Sequence, residues 1–256
     1  MIIAQISDTH IALDTPDADE RIEDFERTIA ALNVLDPTPD VIVHTGDIVH
    51  NGLQDEYAQA VAILAMARAP VYVLAGNKDN RANLRAAFSA CGYLMPDSEF
   101  IDYAIEDFPV RLIAVDTLST GSNKGDFCPA RARRLIGLID AENTKPIAIF
   151  AHHPPFEVPV GPDPLNFETP EMMARLRQAL LHTGRVVASF SGHVHRATAG
   201  HVGNITATAV PCIATTLRKG NYPAHMKRCP VYHIHRFDPH WGFTTETRIV
   251  GTGPSS

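Results

Sequence analysis

A short β-branched run, Val41-Ile42-Val43, continues through His44-Thr45 into Gly46-Asp47. An apolar run of this length that breaks at a glycine reads as a buried strand, and an open α/β sheet builds its sites just past the carboxyl ends of such strands. The pattern occurs twice more nearby. Residues 2–6 are strand-like and lead into Ser7-Asp8-Thr9-His10, and residues 71–75 lead into Gly76-Asn77-Lys78-Asp79. Between them, Ile22, Phe25, Ile29 and Leu32 share one face of a helix over 21–35, and Tyr57, Val61 and Leu64 do so over 54–67, with a third helix expected over 81–90. Pro37, Pro39 and Pro70 close the first two helices. The order β-α-β-α-β-α implies parallel strands joined by crossover helices.

Two further strands are expected at 100–105 and 110–115, then a loop, Gly121-Ser122-Asn123-Lys124-Gly125. Pro129 suits the first turn of a helix that turns Leu135, Leu138 and Ile139 inward. A strand at 147–151 ends in His152-His153-Pro154-Pro155, and the proline-rich stretch 156–164 reads as a rim or lid. Thr169-Pro170 caps a helix carrying Met172, Leu176 and Leu180, and a strand at 186–190 exits through Ser191-Gly192-His193-Val194-His195. Strands at 197–202, 205–210, 231–237 and 243–249 are expected to form the edge of a second, mostly antiparallel sheet, with a small cap near 218–230 and a frayed tail over 251–256. A single domain over 1–256 is expected from the length.

Composition narrows the partners. The net charge of −7 gives no bulk attraction to nucleic acid or an anionic membrane, so neither is expected as a partner. The cysteines, Cys91, Cys128, Cys212 and Cys229, form no C-x-x-C pair, which argues against a zinc knuckle or a disulfide framework. A strand directly after Met1 leaves no room for a signal peptide, and no apolar run approaches the ~20 residues of a membrane span. A soluble, cytoplasmic protein is expected.

Five strands thus end in residues able to bind metal: Asp8 and His10, Asp47, Asn77, His152, then His193 and His195. On an extended segment Asp8 and His10 project to the same side and can reach one ion. Asp47, with two carboxylate oxygens, is expected to lie between two divalent cations, at the spacing of about 3.5–4 Å used in two-metal phosphoryl chemistry. Oxygen and imidazole donors without thiolate suit Mn²⁺, Fe²⁺, Co²⁺ or Zn²⁺, and argue against a closed structural zinc.

Asp8-Thr9-His10, Gly46-Asp47 with Gly52, Gly76-Asn77, His152-His153-Pro154-Pro155 and Gly192-His193-Val194-His195 resemble, in order, the five signature blocks of the calcineurin-like metallophosphoesterases. Within that superfamily Asp107–Leu112 and Lys124-Gly125 look similar to bacterial cyclic-nucleotide and glycerophosphodiester phosphodiesterases. The resemblance implies a four-layer α/β/β/α fold of two mixed sheets packed face to face and flanked by helices. It implies that Asp8, His10, Asp47 and His195 hold one metal, and Asp47, Asn77, His152 and His193 the other. It also implies hydrolysis of small phosphodiesters, glycerophosphodiesters or 3′,5′-cyclic nucleotides, by in-line attack of a metal-bridging hydroxide. Relatives suggest a homo-oligomer, a dimer or larger.

The chain departs from the family at Lys78, where a histidine usually follows the Asn ligand. Asn77, Asp47 and Lys78 are the expected catalytic residues, Lys78 offering a cation or a proton to the substrate, while an ordinary solvated lysine is the alternative. Asn123 and His153 are expected to face substrate with Lys78. His233 and His235, which share a strand face, are expected to be solvated or hydrogen-bonded, and Phe156, Tyr222 and His225 are candidates for the rim. The competing function is a metallophosphoesterase-fold scaffold that has lost its chemistry and binds protein partners.

Overall fold

The computed structural model describes residues 1–159 and 165–251. Strands β1 (Ile2–Ile6), β2 (Val41–His44) and β3 (Val71–Val73) are parallel neighbours, connected by helices α1 (Ala18–Asn33) and α2 (Gln54–Leu64). Helix α3 (Arg81–Ala87) follows, shorter than the sequence pattern suggests, because a separate single turn takes up Ser89–Cys91. Next come β4 (Tyr103–Ile105), β5 (Arg111–Val115), α4 (Pro129–Asp140), β6 (Ile147–Ala151), α5 (Pro170–Leu180) and β7 (Val186–Ser191). The chain finishes with β8 (Thr198–Val202), β9 (Ile205–Ala209), β10 (Val231–Asp238) and β11 (Gly242–Ile249).

Two mixed sheets result, in the orders β11-β10-β1-β2-β3 and β4-β5-β6-β7-β9-β8. Period-2 alternation assigns the faces of the second sheet: Leu112, Ala114, Ala148 and Phe150 join the core against the first sheet, while Ile113, Val115, Ile147 and Ile149 pack with α4 and α5. Phe25, Ile29 and Leu32 of α1 and Tyr57, Ala60 and Ile63 of α2 belong to the same core as the first sheet, completing four layers. At the start of α5 the Thr169 hydroxyl accepts from Met172 N, with Pro170 in the first turn.

The last two strands correct one expectation. β8 and β9 do edge the second sheet, but β10 pairs antiparallel with β1 and carries β11 with it into the first. His233 lies opposite Gln5, so the alternating histidines face the other sheet; His235 donates Nε2–H to Gln5 Oε1 at 2.9 Å and accepts from the Thr245 hydroxyl at 2.8 Å, with its ring stacked on Phe190. A strand buried on both faces looks the same in sequence whichever sheet it joins. Both histidines are buried: His235 is hydrogen-bonded, one of the two expected alternatives, and the ring nitrogens of His233 have no hydrogen-bond partner among the described residues.

No helix among the described residues is long and apolar enough to cross a membrane. Residues 160–164 of the expected lid, the side chain of His225, and residues 252–256 of the expected frayed tail lie outside the described residues.

Candidate metal centre

Asp8 and His10 follow β1, Asp47 follows β2, Asn77 follows β3, His152 follows β6, and His193 and His195 follow β7. These strands divide between the two sheets. The cluster accordingly spans the carboxyl edges of both sheets. Asp8 and His10 also do not converge by alternation along an extended segment, since their φ angles are 56° and 45°. Among the described residues the non-glycine residues with positive φ are Asp8, His10, Asp47, His193 and His195. Left-handed backbone is costly for such residues and persists where surrounding structure enforces it.

Hydrogen bonds between the strand exits supply that enforcement. Asp8 N donates to Gly46 O, His10 N to Asp47 O and Ile11 N to Ile48 O, each at 3.0 Å. Lys78 N donates to Asp47 Oδ1 at 2.7 Å, and His193 N reaches across the sheets to Asp8 Oδ2 at 3.0 Å. Glycine is required where the exits touch: a Cβ on Gly76 would run into the backbone and carboxylate of Asp47, and one on Gly192 into the Ser7 hydroxyl.

The donor atoms form two adjoining groups. In one, His195 Nε2 lies 3.3 Å and His10 Nε2 3.7 Å from Asp8 Oδ1, and His10 Nε2 is 3.5 Å from Asp47 Oδ2. In the other, Asn77 Oδ1 sits 3.1 Å from His152 Nε2 and 3.0 Å from His193 Nδ1, and His152 Nε2 is 3.5 Å from Asp47 Oδ1. His152 donates Nδ1–H to Thr45 O at 2.8 Å and His195 donates Nδ1–H to Leu217 O at 2.9 Å, which turns each Nε2 into the cluster, where a cation would displace its proton.

The electrostatics follow from burying two carboxylates together. Burial opposes ionisation of Asp8, but the charge of His152 and the rings of His10 and His195 hold it well below the carboxylate range. Asp47, also buried, is held at about 2 by His152 and His10. In return, against their own burial, Asp47 and Asp8 lift His152 to about 9, and Asp8 together with the Cys212 sulfur lifts His195 to about 11. Burial and neighbouring imidazoles keep His193 and His153 neutral. Asp8 Oδ1 is buried without a hydrogen-bond donor. The set fits divalent cations: they supply the positive charge that these carboxylates otherwise draw from protonated imidazoles, at donor atoms already converging.

Lys78, Asn123 and His153 are brought to the same place. Lys78 Nζ donates to Asn123 Oδ1 at 3.2 Å and Asn77 Nδ2 approaches the same oxygen at 3.4 Å. The ring nitrogens of His153 are taken up by Thr117 Oγ1 at 2.8 Å and Asn123 O at 3.2 Å, so His153 anchors the 121–125 loop to the centre. Sequence reasoning missed the brace beneath. The Asp79 carboxylate accepts from Gly76 N at 2.8 Å, Ile48 N at 3.3 Å, Val49 N at 3.4 Å and Tyr57 OH at 2.8 Å, tying the β2 and β3 exits to α2. An aspartate next to Lys78 was visible, but nothing marked Tyr57 as its partner. His50, whose ring meets that of His10 edge-on at 5.6 Å, was also missed.

The fold and this centre define a dimetal phosphoesterase: a model of the calcineurin-like phosphoesterases matches residues 1–197, and the chain belongs to that family. It is 29% identical over 259 residues to a probable glycerophosphodiester phosphodiesterase of Arcobacter nitrofigilis, covering 98% of this chain and 94% of that one. It is 27% identical over 182 residues to a probable cyclic nucleotide phosphodiesterase of Rhodopseudomonas palustris, covering 70% and 65%. A dimetal phosphatase from Danio rerio shares the fold, with a TM-score of 0.72 at 13% identity over 98% of this chain and 96% of that one.

Proposed function

We propose that this protein is a dinuclear metal-dependent phosphodiesterase acting on small diesters, glycerophosphodiesters or 3′,5′-cyclic nucleotides. One observation carries the reading: the two oxygens of Asp47 face opposite halves of the cluster, Oδ2 towards His10 and Oδ1 towards His152, each at 3.5 Å. Asp8, His10, Asp47 and His195 would hold one ion, and Asp47, Asn77, His152 and His193 the other, as Mn²⁺, Fe²⁺, Co²⁺ or Zn²⁺. When bound, such a pair polarises the phosphoryl oxygens and makes water acidic enough to serve as the nucleophile at neutral pH.

The chain's own groups do the positioning. His152 and His195 are oriented by backbone carbonyls, so no ring has to turn during the reaction. Lys78, steered by Asn123, presents its ammonium beside Asn77, where it stabilises charge on a phosphoryl oxygen and can protonate the departing alkoxide. Relatives named for glycerophosphodiesters and cyclic nucleotides support the diester class. The same reading has a small-molecule substrate, a cytoplasmic location and a homo-oligomer.

Metal analysis together with hydrolysis of bis(p-nitrophenyl) phosphate in Mn²⁺ tests it. Two ions per chain and metal-dependent turnover are expected. Bound metal with no hydrolysis of that diester, glycerophosphocholine or cyclic AMP would instead identify a scaffold.

A further inference from the structure

Gln5 is fully buried in β1, three residues before Asp8, and its amide reaches two other strand exits. Nε2 donates to Thr45 Oγ1 at 3.0 Å, two residues ahead of Asp47, and across the sheets to Ser191 O at 2.9 Å, two residues ahead of His193. One side chain thus ties together the exits that deliver Asp8, Asp47 and His193. Thr45 also orients His152, whose Nδ1–H goes to Thr45 O at 2.8 Å. The residues that Gln5 holds therefore govern Asp47, His152 and His193, the companions of Asn77 in one half of the centre.

The orientation of this amide follows from its partners. A carbonyl can only accept, so Ser191 O assigns Nε2 to its own side and turns Oε1 towards β10. There Oε1 accepts Nε2–H of His235 at 2.9 Å, which leaves Nδ1 of that ring to accept from the Thr245 hydroxyl of β11 at 2.8 Å. His235 is fully buried and stacked on Phe190, with ring centroids 3.7 Å apart. His233, opposite Gln5 in the strand register, makes no hydrogen bond among the described residues and does not compete for the amide. Both strands of this hairpin lie beyond residues 1–197, the stretch that carries the family match, yet through His235 they reach the exits of the centre.

We propose that Gln5 is a positioning residue for the metal position on the Asn77 side, and that His235 keeps its amide in the working orientation, which makes the C-terminal hairpin part of the centre's support. The inference rests on the dinuclear reading and adds to it a residue that acts through Thr45 and Ser191 rather than on a donor atom.

Stepwise Mn²⁺ binding to the full chain, followed by competition with a chelating dye, tests it in Gln5→Met, which keeps the bulk of the side chain and removes its amide. Ser191 O still accepts from Val210 N at 2.9 Å and Thr45 Oγ1 still donates to Ile6 O at 3.3 Å, so neither exit is left without a hydrogen bond. The Asn77-side position is identified as the one lost in Asn77→Ala. Its Kd is expected to rise by roughly 10–100-fold in Gln5→Met, as for a group that supports a ligand, and that of the other position by less than about threefold. His235→Phe keeps a ring on Phe190 but frees the amide to turn, and should weaken the same position by a smaller factor. The double variant should bind no more weakly than Gln5→Met alone, because the histidine acts through the glutamine. A lower melting temperature with both affinities unchanged would make Gln5 a structural residue and overturn the proposal, as would equal weakening of the two positions. An affinity unmoved in His235→Phe, or additive losses in the double variant, would remove the part given to the histidine. If Gln5→Met does not fold, His235→Phe decides. Wild-type protein that takes up fewer than two Mn²⁺ would instead remove the dinuclear reading.

Discussion

Asp47 is the side chain on which both halves of the centre depend. Its Oδ1 accepts from Lys78 N at 2.7 Å while facing His152, and its Oδ2 faces His10. Asp47→Ala should therefore empty both metal positions together, seen as a loss of about two ions per chain by elemental analysis. Turnover should fall by more than the roughly 10–100-fold that follows loss of a group merely supporting a ligand. Loss of one ion only would show that the carboxylate is not shared. Lys78 makes the opposite prediction. Its ammonium hydrogen-bonds to Asn123, which lies outside the donor set, so Lys78→Ala should keep the metal content and lower kcat, by roughly 10²-fold if it donates the proton. Unchanged kcat would reduce Lys78 to a solvated lysine.

Strand exits, more than strands, are what the surrounding elements hold in place. Asp79 receives three backbone N–H groups and the Tyr57 hydroxyl, and Tyr57 OH in turn accepts from Asn80 N at 2.9 Å. Asp79→Ala leaves these buried donors unpaired and should cost roughly 3 kcal/mol or more in urea denaturation. On the opposite side, Asp102 ahead of β4 accepts from Asp116 N and from Arg134 of α4, each at 2.8 Å. Burial and the charge of Asp116 push its carboxyl from 3.8 up to about 6. The folded chain holds this proton more tightly than the unfolded one, so the contribution is complete below pH 3.8 and is lost as pH rises through about 6. It amounts to about 3 kcal/mol at most. Asp102→Asn, which never ionises, should flatten stability between pH 4 and 7; an unchanged profile would clear Asp102. The strands themselves were legible from β-branched runs, and their ends from Gly-Asp, Gly-Asn and Gly-His-x-His. Illegible were the left-handed turns at Asp8 and His10, which no residue type announces, and the Asp79–Tyr57 contact, made across a loop and a helix.

The centre joins two sheets that also meet through apolar packing and through buried hydrogen bonds from Gln5 Nε2 to Ser191 O and from Tyr103 OH to Val73 O. Its donors come from the exits of β1, β2 and β3 on one side and of β6 and β7 on the other, with His193 N bonded across to Asp8. Sequence order could count five strand ends but not divide them between sheets, because parallel buried strands carry no label of partnership. The division matters for stability. Metal that binds only when both sets of exits are docked is a clamp on the whole molecule, and it stabilises by mass action. At a free ion concentration about 100 times Kd, one site contributes about 2.7 kcal/mol. For a chain of 256 residues, at roughly 2–4 °C per kcal/mol, this is a rise in Tm of about 5–10 °C. Thermal melts in excess chelator and in Mn²⁺ should differ by at least this amount, and the difference should vanish in Asp47→Ala. If chelator leaves the wild-type Tm in place although elemental analysis shows the ions removed, the sheets are held by their core alone and the metals serve only the chemistry.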